Sequence, residues 1–530
     1  MDVADFLQPL RIDVPTVQQL SHEFRQTFQD LATESLDQFL PTPITESILR
    51  PTAGSEKGTY LAIDIGGTNL RVGFIELLGS NNEGTAPNGV NDASGKINGR
   101  HNGPARPPLR RVLERSWPIL EHLKNEKADA LFAWIGARIA EVVHDGCGHY
   151  SLPRDKALHL GVTFSFPMVQ NTLSEARLMA MGKGFAMTSN MGLDLGSQLS
   201  SGYITATEGL NLPPIEIVAI ANDSVATLVS FVYQAPESPT RKASMGLICG
   251  TGCNATIPLR KDMLHHGKLP VKVGVSSGDD KDEDVKVAVN TEWSINGTAP
   301  ALRKYGLISR WDKRLDDEGD KPGFQPLEYM TAGRYLGELG RLILVEYLTL
   351  QLGCPLESLP TELLRRFSLS TTFLSHFKPR DAPILLKKLK AEFPAVVGGF
   401  QWTEDVALVL YSIAKAIEVR AAGITAAATI GLLACAGDLP LRQLQDVANR
   451  PAQQKGRGSP SELVVGYTGG CIEHFQDYLT DCQQFLDEAI EAEFGDSAPI
   501  RVKLTACHDG GITGAGVLAG NAMARSAATS

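Results

Sequence analysis

The 530-residue sequence contains no Cys-x-x-Cys pair, no excess of positive charge and no strongly apolar run of membrane-spanning length. Each absence removes a class of function. The eight cysteines, at 147, 249, 253, 354, 435, 471, 482 and 507, are scattered, and several sit inside apolar runs. They read as reduced thiols of a cytoplasmic or nuclear protein. A net charge of -10 argues against a nucleic-acid partner and gives no reason to expect a membrane surface. The most apolar long stretch, Ala421 to Gly437, is rich in Ala and Gly and carries Thr425 and Thr429. It falls short of the ~20 strongly apolar residues of a spanning helix and is expected to be a buried one. The acidic start, Met-Asp-Val-Ala-Asp, lacks the charged-then-apolar pattern of a signal segment.

What is present begins with a hydrophobic content of 43% and a mean hydropathy of -0.07, the balance of a globular chain long enough for two large domains. Leu61 to Phe74 reads Leu-Ala-Ile-Asp-Ile-Gly-Gly-Thr-Asn-Leu-Arg-Val-Gly-Phe. Two strand-like runs flank Gly66-Gly67-Thr68-Asn69, the composition of a tight hairpin turn. Paired glycines let the main chain approach an anion, Thr68 adds a hydroxyl donor, and Arg71 follows as a fixed positive charge. Asp64 ends the first strand where it could hold a metal ion or its water shell. An ordinary surface hairpin is the alternative, and the Asp, Asn and Arg around the glycines favour phosphate binding. Met245 to Pro258 repeats the pattern around Gly250-Thr251-Gly252, and Leu463 to Cys471 runs into Gly469-Gly470. A supersecondary unit present in both halves implies a nucleotide site between two similar domains.

Val17, Leu20, Phe24, Phe28 and Leu31 predict an amphipathic packing helix behind Pro15. Residues 79–108 have almost no large apolar groups and are expected to be a disordered insertion. Gly278 to Asp284 and Lys455-Gly456-Arg457 read as solvated loops. A helix is expected within Trp117 to Val143, a strand over Ile215 to Ala221 and a helix over Val225 to Tyr233. Asn222-Asp223-Ser224 lies between the last two, and a strand ending in an acid before a helix favours chemistry in α/β folds. Asp223 is alternatively a helix N-cap. Val285 to Trp293 predicts a strand, Leu327 to Leu352 one long helix with Glu328 at its start, and Gly514 to Met523 a terminal helix. The order implies two α/β lobes around a cleft.

Taken together, these segments resemble the hexokinase family, with gaps, from about residue 40 to 520. Leu61 to Val72 looks like the family's first phosphate motif. Leu160-Gly-Val-Thr-Phe-Ser-Phe-Pro with Lys183-Gly-Phe looks like its sugar signature. Ala221-Asn-Asp-Ser-Val-Ala-Thr-Leu, Gly250-Thr-Gly-Cys-Asn, Asn290-Thr-Glu-Trp and Tyr335-Leu-Gly-Glu-Leu follow in the family's order. The resemblance implies a two-lobed actin-like ATPase (ribonuclease H-like) fold with a central cleft and duplicated β-hairpin phosphate motifs. It implies a helical segment over 1–57 packing on the large lobe, a small lobe over 58–220, a large lobe over 221–508, and a terminal helix over 509–530 returning to the small lobe. Its implied activity is phosphorylation of a hexose such as glucose at O6 by ATP, the first step of glycolysis.

Carried over by position, Asp223 is the base that accepts the O6 proton, and Lys183 is the second catalytic residue. Ser165, Asn222, Asn254, Glu292 and Glu328 ring the sugar, although Glu328 could instead serve a helix N-terminus. Gly66, Gly67, Thr68, Asn69, Arg71, Thr251 and Gly469 hold the ATP phosphates. Mg²⁺ arrives with the nucleotide near Asp64, and no resident metal is implied.

Departures from the family pattern fall in the sugar signature, where Gly182 removes one sugar hydrogen bond, and at the nucleotide end. Gly182 replaces a threonine, Thr468 an acid, and Ile512-Thr513 a Gly-Lys pair in the last turn. If that turn needs φ > 0 at Ile512, a β-branched residue is poorly tolerated there. Restoring Gly and Lys is then expected to raise nucleotide affinity. The chain is similar to divergent, atypical fungal hexokinase-like proteins, and a glucose-binding regulator with slow or no transfer, acting through protein partners, is the alternative function.

Overall fold

The computed structural model describes residues 2–49, 56–79, 108–125, 128–179, 192–235, 238–270, 285–319, 321–441, 460–495, 498 and 500–529. The expected insertion, apart from residues 79 and 108, and both solvated loops lie outside the described residues, as does Lys183.

The described residues form thirteen strands: β1 (Leu40–Thr45), β2 (Gly58–Ile65), β3 (Asn69–Leu77), β4 (Leu109–Pro118), β5 (Leu158–Phe164), β6 (Met168–Thr172), β7 (Glu175–Leu178), β8 (Ile215–Ala221), β9 (Arg241–Cys249), β10 (Cys253–Arg260), β11 (Lys286–Asn290), β12 (Glu462–Thr468) and β13 (Arg501–Ala506). One sheet runs β4-β3-β2-β5-β8, the other β1-β11-β10-β9-β12-β13, and β6 and β7 form a separate pair. In the first sheet, the β2–β3 hairpin extends antiparallel to β4 and parallel to β5 and β8. In the second, the β9–β10 hairpin extends antiparallel to β11 and parallel to β12 and β13. The two sheets therefore share one topology, with β1 added at an edge. This is the duplication foreshadowed by the repeated Gly-Thr turns, in an α/β fold of the actin-like ATPase kind.

Two helices pack against each other between these sheets, Asp223–Gln234 beside β9 and β10, and Gly510–Thr529 across β2, β3, β5 and β8. Small residues set their spacing: a Cβ at Gly514 would lie 2.0 Å from Ala226 O. The helix Val14–Glu34 starts where Asp13 accepts from Thr16 N, and it buries Val17, Leu20, Phe24 and Phe28 at helical spacing. It packs on Glu404–Cys435, the long apolar helix containing Ala421 to Cys435. Contrary to the expectation that this stretch falls short of a spanning length, the helix is long and apolar enough to cross a bilayer, but it is largely buried, as expected, and is capped by Thr403. It also carries fully buried Arg420, paired to Asp312 at 2.6 Å. A buried charge with its partner in place belongs to a protein core.

Three expected elements end differently. The predicted helix over Leu327 to Leu352 is two helices, Pro326–Thr331 and Gly333–Glu346, broken at Ala332 in an extended conformation. The break frees the N–H groups of Gly333 and Arg334 to donate to Gly250 O at 2.8 Å and Thr251 O at 3.2 Å. The strand expected to reach Trp293 stops at Asn290, because Glu292 turns the chain with φ 45°. The terminal helix begins at Gly510, so Ile512 is helical and buried, and the left-handed residue of that turn is Asp509, φ 56°. The strain anticipated at Ile512 does not arise.

Candidate active site

Both hairpin turns are stitched by main-chain hydrogen bonds. In the first, Gly66 N donates to Asn69 O at 2.9 Å and Ile119 N to Thr68 O at 2.8 Å, leaving the Thr68 and Asn69 side chains exposed. In the second, Gly250 N donates to Gly252 O at 2.9 Å, and the helix break clasps Gly250 and Thr251 from behind. Gly469 adopts φ 131°, and a Cβ there would lie 2.3 Å from Cys249 O. Only glycine fits both that conformation and that space, so Gly469 abuts the Thr251 turn. Thr468 ends β12 beside it and brings no carboxylate.

Asp64 faces the start of the terminal helix: a Cβ on Gly511 would come within 2.7 Å of its carboxylate. Burial pushes the Asp64 carboxyl up to about 7; Arg71 opposes this, while Asp223, Glu114 and Asp509 add to it. Arg71 does not stand as a free cation, because its Nη1 lies 2.5 Å from Asp509. Arg111 on β4 takes the other oxygen at 2.7 Å and also reaches Glu114.

One cleft brings together five residues expected around the sugar or the reaction: Ser165, Asp223, Asn254, Glu292 and Glu328. Glu292 Oε1 accepts from Asn290 Nδ2 at 2.8 Å and from Asn254 Nδ2 at 3.4 Å. Glu328 accepts from Cys253 N at 3.1 Å and from Gln325 Nε2 at 3.0 Å. Such bonds fix the orientation of both carboxylates in the cleft wall. Asn222 sits beneath rather than among the lining residues. It is the N-cap of Asp223–Gln234, its oxygen accepting from Ser224 N at 3.0 Å and Ser224 Oγ at 2.7 Å. Since Asn222 caps the helix, Asp223 occupies its first turn and opens into the cleft.

Sequence reasoning missed Asn290, Gln325, Arg111 and Asp509 as members of the site. Asn290 stands in the Asn-Thr-Glu-Trp motif and Asp509 opens the last turn, and nothing in either segment marks a partner. Arg111 follows the 79–108 insertion without a motif around it. Gln325 precedes a helix whose start had been placed one residue late.

Among the described residues no cluster of three metal-ligating side chains is present, so a magnesium ion would arrive with the nucleotide, and Asp64 fits it as a single carboxylate whose proton affinity is raised by burial first and by Asp223, Glu114 and Asp509 after it. Glycine turns beside a cleft of carboxylates and amides, held between two lobes of repeated topology, define a sugar phosphotransferase of the actin-like fold. Two family models, both described as hexokinase, match residues 2–233 and 244–521. The chain belongs to the hexokinase family. It is 28% identical over 470 residues to Hexokinase-1 of Arabidopsis thaliana, spanning 88% of this chain and 80% of that protein. It is 32% identical over 301 residues to Hexokinase-2 of Candida albicans, spanning 56% of this chain and 51% of that one. In fold it is similar to the hexokinase from Schistosoma mansoni solved with glucose, with a TM-score of 0.71, 24% identity and 98% of both chains covered.

Proposed function

We propose that the chain transfers the γ-phosphoryl group of ATP to O6 of glucose or a closely related hexose, giving hexose 6-phosphate and ADP. The observation that carries this reading is Asp223, a carboxylate on a helix's first turn that opens into the cleft shared by Asn254, Glu292 and Glu328. Asp223 takes the O6 proton as that oxygen attacks phosphorus and the bond to ADP breaks, a role that contributes about 10²–10⁴-fold. Glu292 and Glu328 accept from sugar hydroxyls, and Asn254 can both donate and accept. Mg²⁺ bound with the nucleotide supplies charge neutralisation, and Asp64 is the residue that would hold it or its water shell. Gly67, Thr68, Asn69, Thr251 and Gly469 offer the phosphates main-chain and hydroxyl donors, Gly66 closes the first turn through its bond to Asn69 O, and Arg71 supplies charge once released from Asp509.

The second reading is a hexose-binding regulator that transfers phosphate slowly. Thr513 favours it: the residue is buried, its hydroxyl donates to Asp509 O and lies 2.6 Å from Ser230 Oγ, and it brings no cation to the helix start.

The test is a coupled assay with Mg-ATP and glucose, with Asp223→Asn as the blank, beside calorimetric glucose binding. Turnover well above the blank supports the kinase. Binding without turnover supports the regulator, and absence of binding to glucose and to its close hexose relatives overturns both.

A further inference from the structure

We propose that Gln38, 254 positions away in sequence, is a positioning residue for the cleft carboxylate of Glu292. The inference rests on the hexose site proposed above and adds a residue from outside it. Gln38 lies between the helix Val14–Glu34 and β1 and is 2% exposed. Its Nε2 donates to Glu292 O at 2.9 Å, and its Oε1 accepts from Gly297 N at 3.0 Å. One amide therefore grips both ends of the turn that follows β11. Gly297 shapes the slot, since a Cβ there would lie 2.2 Å from Gln38 Oε1.

Glu292 is a residue whose conformation needs such a grip. Its φ of 45° is left-handed, and a non-glycine residue stays there only when its surroundings over-determine it. The reversal aims the side chain at Asn290 and Asn254 and into the cleft. Ile295 N also donates to the Glu292 carbonyl, at 3.2 Å, so losing the shorter bond from Gln38 loosens that peptide without freeing it, and the carboxylate shifts with it.

Gln38 is itself anchored from the opposite side. Its N–H donates to Ser35 Oγ at 3.1 Å, and its carbonyl accepts from Lys268 Nζ at 2.9 Å. The same ammonium donates to Ala32 O at 3.1 Å, near the end of the preceding helix, and Phe39 N donates to Thr291 O at 3.0 Å. The chain from Lys268 through Gln38 to Glu292 thus ties the N-terminal helix to the sugar cleft. An amide that served only to satisfy the core would have no reason to spend both polar ends on this one turn.

The test uses Gln38→Glu, which keeps the shape and the acceptor for Gly297 but replaces the donor facing Glu292 O with a second oxygen. Glucose affinity is read by calorimetry, and nucleotide KM by steady-state assay. The expected result is glucose binding weakened about five- to thirtyfold, as for one buried hydrogen bond, with nucleotide KM within about twofold. In a Glu292→Gln background the same change should have little further effect, because the carboxylate it positions is gone. Should Gln38→Glu not fold, Lys268→Met loosens Gln38 from the half-buried side and is expected to weaken glucose binding in the same direction by a smaller factor. Glucose binding unchanged in the folded variants overturns the inference alone, as does an equal loss of glucose and nucleotide affinity. A parent chain that binds neither glucose nor its close hexose relatives overturns the hexose site and this inference together.

Discussion

Arg71 on β3 and Asp509 at the head of the terminal helix form an ion pair at 2.5 Å, and Arg111 completes it from β4 at 2.7 Å. Both partners of the closer pair are about one-third exposed, so it adds little to stability, ~0.2–1 kcal/mol. Its consequence is for ligands, since Asp509 occupies the guanidinium of Arg71, the cation that acts on Asp64, and that of Arg111 as well. Arg71→Met is expected to raise nucleotide KM at least about tenfold while hexose KM stays within about twofold. Steady-state kinetics with each substrate varied in turn checks this. A shift in hexose KM alone would make Arg71 a bolt between strand and helix rather than a phosphate ligand.

Asp64 gives the protein a defined response to pH. Its carboxyl is raised from the ordinary value to about 7, so between about 4 and 7 the folded chain holds a proton that the unfolded chain has lost. The stability from this proton is fully present below about 4 and is lost as pH rises through 7. Denaturant midpoints of the parent, compared with Asp64→Asn, should therefore diverge across that window, with the parent falling relative to the variant as pH increases. Mg²⁺ requirement should move the other way in the parent, growing more demanding below pH 7 as Asp64 takes up its proton. A parent and variant with parallel pH profiles would place Asp64 in water rather than in a crowded acidic site.

The legible parts of the molecule were those in which adjacent residues carry the information. Gly66-Gly67-Thr68-Asn69 and Gly250-Thr251-Gly252 announce hairpins because turn chemistry is local, and their repetition announced two sheets of one topology. Asp223 was legible because a strand end and a helix start flank it. The break at Ala332 was not, since Leu327 to Leu352 has helical periodicity throughout. What breaks it is the demand of Gly250 O and Thr251 O for donors, some 80 residues earlier in the chain. Gln38 and Arg111 were invisible for the same reason: their importance lies in partners that only the fold brings near.

Gly469 sets a steric limit on the nucleotide end. Its φ of 131° suits glycine, and a Cβ there would meet Cys249 O at 2.3 Å and Gly250 N at 2.6 Å. Gly469→Ala must therefore displace the Thr251 turn. Nucleotide KM should rise about tenfold or more, and stability should fall by at least ~1–2 kcal/mol, the scale of one strained residue. Glucose affinity, measured without nucleotide, should change much less. Unaltered nucleotide KM in the folded variant would remove Gly469 from the phosphate site.

Ile512 reverses what its sequence context implies. Restoring the family's residues there, Ile512→Gly with Thr513→Lys, looks from the sequence like a repair of the nucleotide pocket. In the fold, Ile512 is fully buried in a cluster with Val225, Leu228, Ala515 and Leu518, and Thr513 is 2% exposed against Ser230. Removing the isoleucine side chain leaves a cavity costing about 2–5 kcal/mol, and glycine in a helix adds ~1 kcal/mol. An ammonium at position 513 would have to be desolvated between two helices, or push them apart. The double variant is expected to unfold at markedly lower denaturant concentration and to bind nucleotide no more tightly than the parent. Tighter nucleotide binding at parental stability, read from the same preparation, would mean that the first turn of the terminal helix faces the nucleotide after all.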